Sequence, residues 1–185
     1  FAIPARRTQR SAGARSVSLG CWRRSGSRRE TAAKNGICHF IEHSLLKGTK
    51  KRDANQIARQ LDSIGGYADA FTGKELVSYN SKVLVDHVPV VFDILSDMLM
   101  NPAFRDEDID KEKGVVLEEI KMDLDSPESQ AHELFCRKFW KEDPLGWPIL
   151  GTPKTVKSLN STILRDYWKR HYVACNLVIT AAGRV

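Results

Sequence analysis

The chain has 185 residues, 42% of them hydrophobic and 28% charged, with a net charge of +6. That length fits one domain with its own core, and no apolar run approaches the ~20 residues a bilayer span needs, so no membrane span is expected. The charge is uneven: residues 1–30 hold eight arginines against Glu30, leaving 21 basic and 22 acidic residues in the remainder. An Arg- and Ser-rich, acid-poor start fits a transit peptide or a nucleic-acid patch. Neither basic-aromatic interleaving nor a recognised module accompanies it, so no nucleic-acid partner is expected. Cys21, Cys38, Cys136 and Cys175 are scattered with no C-x-x-C pair, which favours a reducing compartment and argues against thiolate-bound zinc.

Taken in order, residues 1–15 read as an irregular basic segment and 16–185 as one domain. Ser16-Val17-Ser18-Leu19-Gly20-Cys21-Trp22 alternates as a strand does, giving a strand over 16–24 and then a loop through Gly26-Ser27-Arg28-Arg29-Glu30. A helix carries His39-Phe40-Ile41-Glu42-His43 and ends near Gly48. Asp53 with Gln56 caps a second helix, with Ile57, Leu61 and Ile64 on one face and Gly65-Gly66 closing it. Strands over 67–72 and 76–84 join through Gly73-Lys74-Glu75 as a hairpin. A third helix over 87–100 places Val88, Val91, Phe92, Leu95 and Leu99 on its apolar face, with Pro89 tolerated in the first turn. A fourth over 106–124 turns Ile109, Val116, Leu117, Ile120 and Leu124 inward. Ser126-Pro127 starts a helix to about 141, Pro144 to Pro153 reads as loop, a helix spans 161–171 and a strand 176–182. Mixed strands and helices with a hairpin predict an α+β fold, a mostly antiparallel sheet covered by helices.

On a helix His39 and His43 lie within roughly 40° of each other with Glu42 beside them, while Ile37, Phe40, Ile41 and Leu45 gather opposite. Two imidazoles one turn apart suit zinc, and H-x-x-E-H is the inverted zincin arrangement with Glu as base. Alone, such a trio is equally what a solvated helix face presents by chance. His132-Glu133 opens similarly, but the fifth residue is Cys136, which points to a structural role. His87 reads as a solvated side chain.

The chain resembles the pitrilysin or insulinase-like zinc metallopeptidases, which include mitochondrial processing peptidase and its bacterial relatives. The resemblance covers about residues 15–185 and rests on Gly26-Ser27-Arg28, His39-Phe40-Ile41-Glu42-His43 with Lys47-Gly48-Thr49, Gly65-Gly66, Ala70-Phe71-Thr72 with Lys74-Glu75, Glu112 through Ile120, Pro144-Leu145-Gly146, Gly151-Thr152 and Ala181-Ala182-Gly183. It implies one Zn2+ per chain, held by His39, His43 and Glu119. Glu112, seven residues earlier and within about 20° on the same helix, then orients a ligand. Glu118 points elsewhere as a solvated charge. Glu42 is implied as the general base on a zinc-bound water.

The implied reaction is endoproteolysis of extended peptides or unfolded presequence-like segments. Asp69, Ala70, Phe71 and Thr72 resemble the strand on which substrate pairs, and Leu46 lies near the following subsite. Many relatives carry Asn at position 69, an aromatic at 46 and Met at 44, so subsite preference departs from theirs. His171-Tyr172 matches a common pair without an assigned role. The implied partner is a homologous second half, in the same chain or a partner subunit, so the sequence is expected to be truncated at both ends and weakly active alone. Bacterial-type cytoplasm is the implied compartment, with the mitochondrial matrix as the alternative. The competing reading is a non-catalytic homologue serving as a binding or structural subunit, but such subunits typically lose motif residues that are present here.

Overall fold

The computed structural model describes residues 5–185. Among them, five strands form one sheet: β1 (Ala5–Arg10), β2 (Ser16–Arg23), β3 (Tyr67–Thr72), β4 (Val77–Leu84) and β5 (Leu177–Gly183), in the spatial order β1-β5-β2-β4-β3. All neighbours are antiparallel except β1 and β5, which run parallel from Ala5 opposite Val178 to Arg10 opposite Gly183. The α+β expectation holds, and one part of it is corrected. Residues 5–10 of the segment expected to be irregular form β1, while residues 1–4 lie outside the described residues. Every residue of β1 is exposed, so it lacks the apolar alternation that reveals a strand and is held by backbone pairing at the sheet edge.

Register explains the core. Val17, Leu19, Cys21 and Arg23 stand opposite Val83, Ser81, Tyr79 and Val77, so all eight point to one face, and all are buried. Helices cover that face: α1 (Ile37–Leu46), α2 (Ala54–Ser63), α3 (Val88–Met100), α4 (Asp106–Leu124), α6 (Pro153–Ser158) and α7 (Ser161–His171), while α5 (Pro127–Trp140) packs outside them on α4. The 144–153 stretch, expected as loop, holds a 3-10 turn at Pro144–Gly146, and α6 begins at its last residue behind a Thr152–Thr155 capping box. Two apolar groups fill the interior. One joins α1 to Val77, Tyr79, Val116 and Leu164, and the other joins Val17, Leu19 and Val83 to Ile57, Leu61, Ile94 and Met98.

Two expected core residues are not in it. On α3 the buried apolar residues are Val91, Ile94, Leu95, Met98 and Leu99, spaced i, i+3, i+4, i+7, i+8; Phe92 falls about 100° from Val91 and is exposed. Leu124 is the last residue of α4 and is also exposed.

Asp97, buried on α3, ties down the chain leaving α1. Its Oδ2 accepts from Thr49 Oγ1 and Arg52 Nη1, each at 2.7 Å, and its Oδ1 accepts from Asn101 Nδ2 at 3.0 Å. Burial alone would raise its pKa, but Thr49, Asn101 and Arg52 outweigh burial and hold it below the usual carboxylate range. The ionised form is therefore favoured on folding. Its stabilisation is present above the unfolded carboxylate value of about 3.9 and is lost as pH falls through the lower folded value. Asp97→Ala is expected to destabilise by about 1–3 kcal/mol at pH 7, because it leaves the buried Thr49 hydroxyl and Arg52 Nη1 without their acceptor, while Asp93 and Gln60 still hold the rest of the guanidinium. Urea unfolding at decreasing pH checks this: the wild type should lose its advantage in acid, and a constant gap down to pH ~2 would contradict the linkage.

Candidate metal centre

Helix α1 exists because Ile37, Phe40, Ile41 and Leu45, all fully buried, give it an apolar stripe against the sheet. Burying each is worth about 1.5–3 kcal/mol, which fixes the rotation of the helix and hence the aim of its other face. His39, Glu42 and His43 occupy that face, packed against α4 and β3.

Three side-chain atoms converge there. His39 Nε2 and His43 Nε2 are 3.2 Å apart, and Glu119 Oε2 from α4 lies 3.7 and 3.6 Å from them. Tetrahedral zinc with bonds of about 2.0–2.2 Å sets its nitrogen and oxygen ligands about 3.3–3.6 Å from one another, so the triangle is within about 0.1 Å of the size the ion requires. Glu119 Oε2 is buried without a hydrogen-bond partner among the described residues, which costs free energy unless a cation faces it. The second carboxylate in reach, Glu42, also comes within 4.8 Å of both imidazoles. It already accepts a hydrogen bond from Thr72 Oγ1, so we take Glu119 as the better third donor.

Charge and protonation suit this donor set. Burial, reinforced by neighbouring His43, pushes His39 down to about 4, so its imidazole is neutral with a free lone pair. Burial opposes the charge on His43, but its hydrogen bond to Glu112 and the nearby Glu119 outweigh it and raise its pKa. His43 Nδ1 and Glu112 Oε1 are 2.7 Å apart, and Glu112 Oε2 lies 2.8 Å from Lys47 Nζ. Burial would raise Glu112, yet His43 and Lys47 hold it low; an ionised carboxylate only accepts, so Nδ1 carries a proton, and a metal would take Nε2 by displacing the second proton that the raised pKa of His43 favours. Burial raises Glu42 despite the Thr72 hydrogen bond, moving this carboxylate toward the basicity a proton acceptor needs.

The start of α1 is held without a side-chain cap from its own N-cap residue, Gly36. Glu30 replaces it: Oε2 accepts from Gly36 N and Oε1 from Cys38 N, both at 2.8 Å, placing a carboxylate at the positive end of the helix. Gly36 has φ 91°, and a Cβ there would sit 2.6 Å from Leu150 O, so both conformation and space demand glycine.

The residues expected to meet substrate divide between two faces. Ala70 and Thr72 point inward, and Thr72 touches Glu42. Asp69 and Phe71 point to the opposite face of β3, where Phe71 is exposed. Among the described strands β3 pairs only with β4, leaving its outer edge free. Leu46 is half-buried against the Ile57 and Leu61 group. Glu118 pairs with Lys121 at 2.6 Å on the exposed side of α4.

The sequence reading did not give roles to Glu30, Lys47 or the Thr72 hydroxyl. Lys47 was findable, since His39, His43 and Lys47 recur every four residues on one helix face. Arg23 was also missed. It is wholly buried on the inner face of the sheet, with Nη2 donating to Cys38 Sγ at 2.9 Å and its guanidinium 5.0 Å from the Tyr172 ring centroid. Tyr172 in turn meets Tyr79 through their hydroxyls at 2.7 Å, and His171 stacks on Tyr167.

Comparison of the chain with known proteins gives a family profile, two sequence relatives and a solved structure, among others. The profile of Insulinase (Peptidase family M16) matches residues 7–153. The chain is 43% identical over 171 residues to the uncharacterized zinc protease YmxG of Bacillus subtilis (strain 168), covering 92% of this chain and 42% of that protein. It is 42% identical over 171 residues to the uncharacterized zinc protease SCO5738 of Streptomyces coelicolor, covering 92% of this chain and 37% of that protein. It therefore spans less than half the length of either relative. Among solved structures, a peptidase M16 inactive domain from Pseudomonas fluorescens shares the fold with a TM-score of 0.92 at 17% identity, covering 100% of this chain and 46% of that one.

Proposed function

Because the chain belongs to the insulinase family of peptidases, peptidase family M16, we propose that it is the zinc-bearing part of an endopeptidase acting on extended peptides. The observation that carries this reading is the convergence of His39 Nε2, His43 Nε2 and Glu119 Oε2 beside the Glu42 carboxylate. His39, His43 and Glu119 would hold zinc, which when bound would supply a Lewis acid able to activate water and polarise a peptide carbonyl. Glu42 takes the proton of the attacking water and returns it to the departing amine. Thr72 fixes one oxygen of that carboxylate, leaving the other for the proton. The free edge of β3 offers backbone groups to an extended peptide, a mode of binding that tolerates many sequences.

The proposal includes a homologous second half, in the same chain or a partner subunit, since the curated relatives are more than twice as long as the matched region. Phe135, Phe139 and Trp140, exposed on α5 and packed on one another, form a surface such a half would cover.

The test is a quenched-peptide assay of the zinc-loaded chain, alone and joined to a second half. Cleavage in the joined form that a chelator removes and one equivalent of zinc restores supports the reading. No cleavage in either form overturns it in favour of a binding subunit.

A further inference from the structure

A second group of metal-binding side chains lies outside the centre just described. His132 and Cys136 are one turn apart on α5, with Nε2 and Sγ separated by 3.5 Å. Both line a cavity of about 210 Å³ whose wall also carries the carboxylates of Asp123 and Glu133 and the hydroxyl of Ser129. Lys74, the cation on this wall, is engaged by the carbonyl of Trp147. A thiolate and an imidazole bound to one tetrahedral zinc, at about 2.3 and 2.0–2.1 Å, stand about 3.5–3.6 Å apart, so the pair is already at chelating separation.

We propose that His132 and Cys136 form a second, weaker site for a borderline-soft divalent cation such as Zn2+, with water completing its shell. The donor types support this choice, because a thiolate with an imidazole selects zinc-like ions over magnesium or calcium. Binding releases the thiol proton as the metal–sulfur bond forms, and no oxidant or other reactant is needed. With two side-chain donors at chelating distance instead of three, the site fills after the His39, His43 and Glu119 centre.

The experiment is a titration of the metal-free full chain with Co2+ alone, following thiolate-to-metal charge-transfer absorption in the near ultraviolet. The wild type should take up two equivalents, with the thiolate band growing on the second. Cys136→Ser, a change at a partly exposed position, should retain one equivalent and lose the band, and His132→Ala should weaken the band-bearing step by about tenfold or more. Glu119→Ala should keep the band while losing the other equivalent, which separates failure of this site from failure of the main centre. Absence of a thiolate band in the wild type, its persistence in Cys136→Ser, or unchanged affinity in His132→Ala would each overturn the proposal.

Discussion

Glu42→Gln is expected to leave zinc bound and to lower peptide hydrolysis by about 10²–10⁴-fold or more. The amide occupies the same volume and can still meet Thr72 Oγ1, so the buried surroundings are little disturbed. What it loses is the capacity to accept a proton at the pH of the reaction, and no neighbouring group replaces it. Glu112 is occupied by His43 and Lys47, and Glu119 faces the two imidazoles. Zinc content by elemental analysis, together with kcat on a quenched peptide in an assembly shown to be active, reads both halves of the expectation. Normal turnover in the variant would remove Glu42 from the role of base.

Glu119→Ala is expected to do the reverse and strip the metal. Loss of a residue that merely orients a ligand costs about 10–100-fold in metal affinity, so loss of a ligand should cost more than about 10²-fold. The comparison with Glu42→Gln decides between the two carboxylates that reach the imidazoles. Should Glu42 be the third ligand, the Gln variant would lose zinc and Glu119→Ala would retain it. Isothermal titration of the metal-free proteins with zinc checks the order. Folding is not expected to suffer, because Glu119 is partly exposed and its facing oxygen makes no hydrogen bond that the substitution would break.

Most of the fold was legible because its signals are local. The Asp53 and Gln56 capping box, the alternation in β2 and the apolar stripe of α1 each depend on a few consecutive residues. The candidate ligand pair on α1 was legible for the same reason, since four residues of helix bring His39 and His43 together. The failures are features set by distant partners. β1 is polar on every residue and is a strand only because β5, more than 160 positions later, lies beside it. Phe92 and Leu124 are apolar in sequence, but no opposing surface covers them. The Thr72 hydroxyl reaches Glu42 across 30 positions, and Glu30 caps α1 from the far side of a loop, so no spacing rule announces either. Glu119 was reached through family resemblance, its spacing from Glu112 showing only that the two share a helix face.

The strand order also governs how the molecule is made. β5 lies between β1 and β2, so among the described strands β1 has no neighbour, and β2 has only one, until β5 exists. During synthesis β2 can pair with β4 once residue 84 has emerged, but its other edge waits for Leu177–Gly183. At roughly 5–20 residues per second, about a hundred residues of further translation take some 5–20 s. Throughout that interval Val17, Leu19 and Cys21 belong to a half-built sheet, and the helices that aim His39 and Glu119 at each other rest on an incomplete floor. Metal capture by the proposed centre is thereby expected to be a late event, coupled to the pairing of β5 with β2.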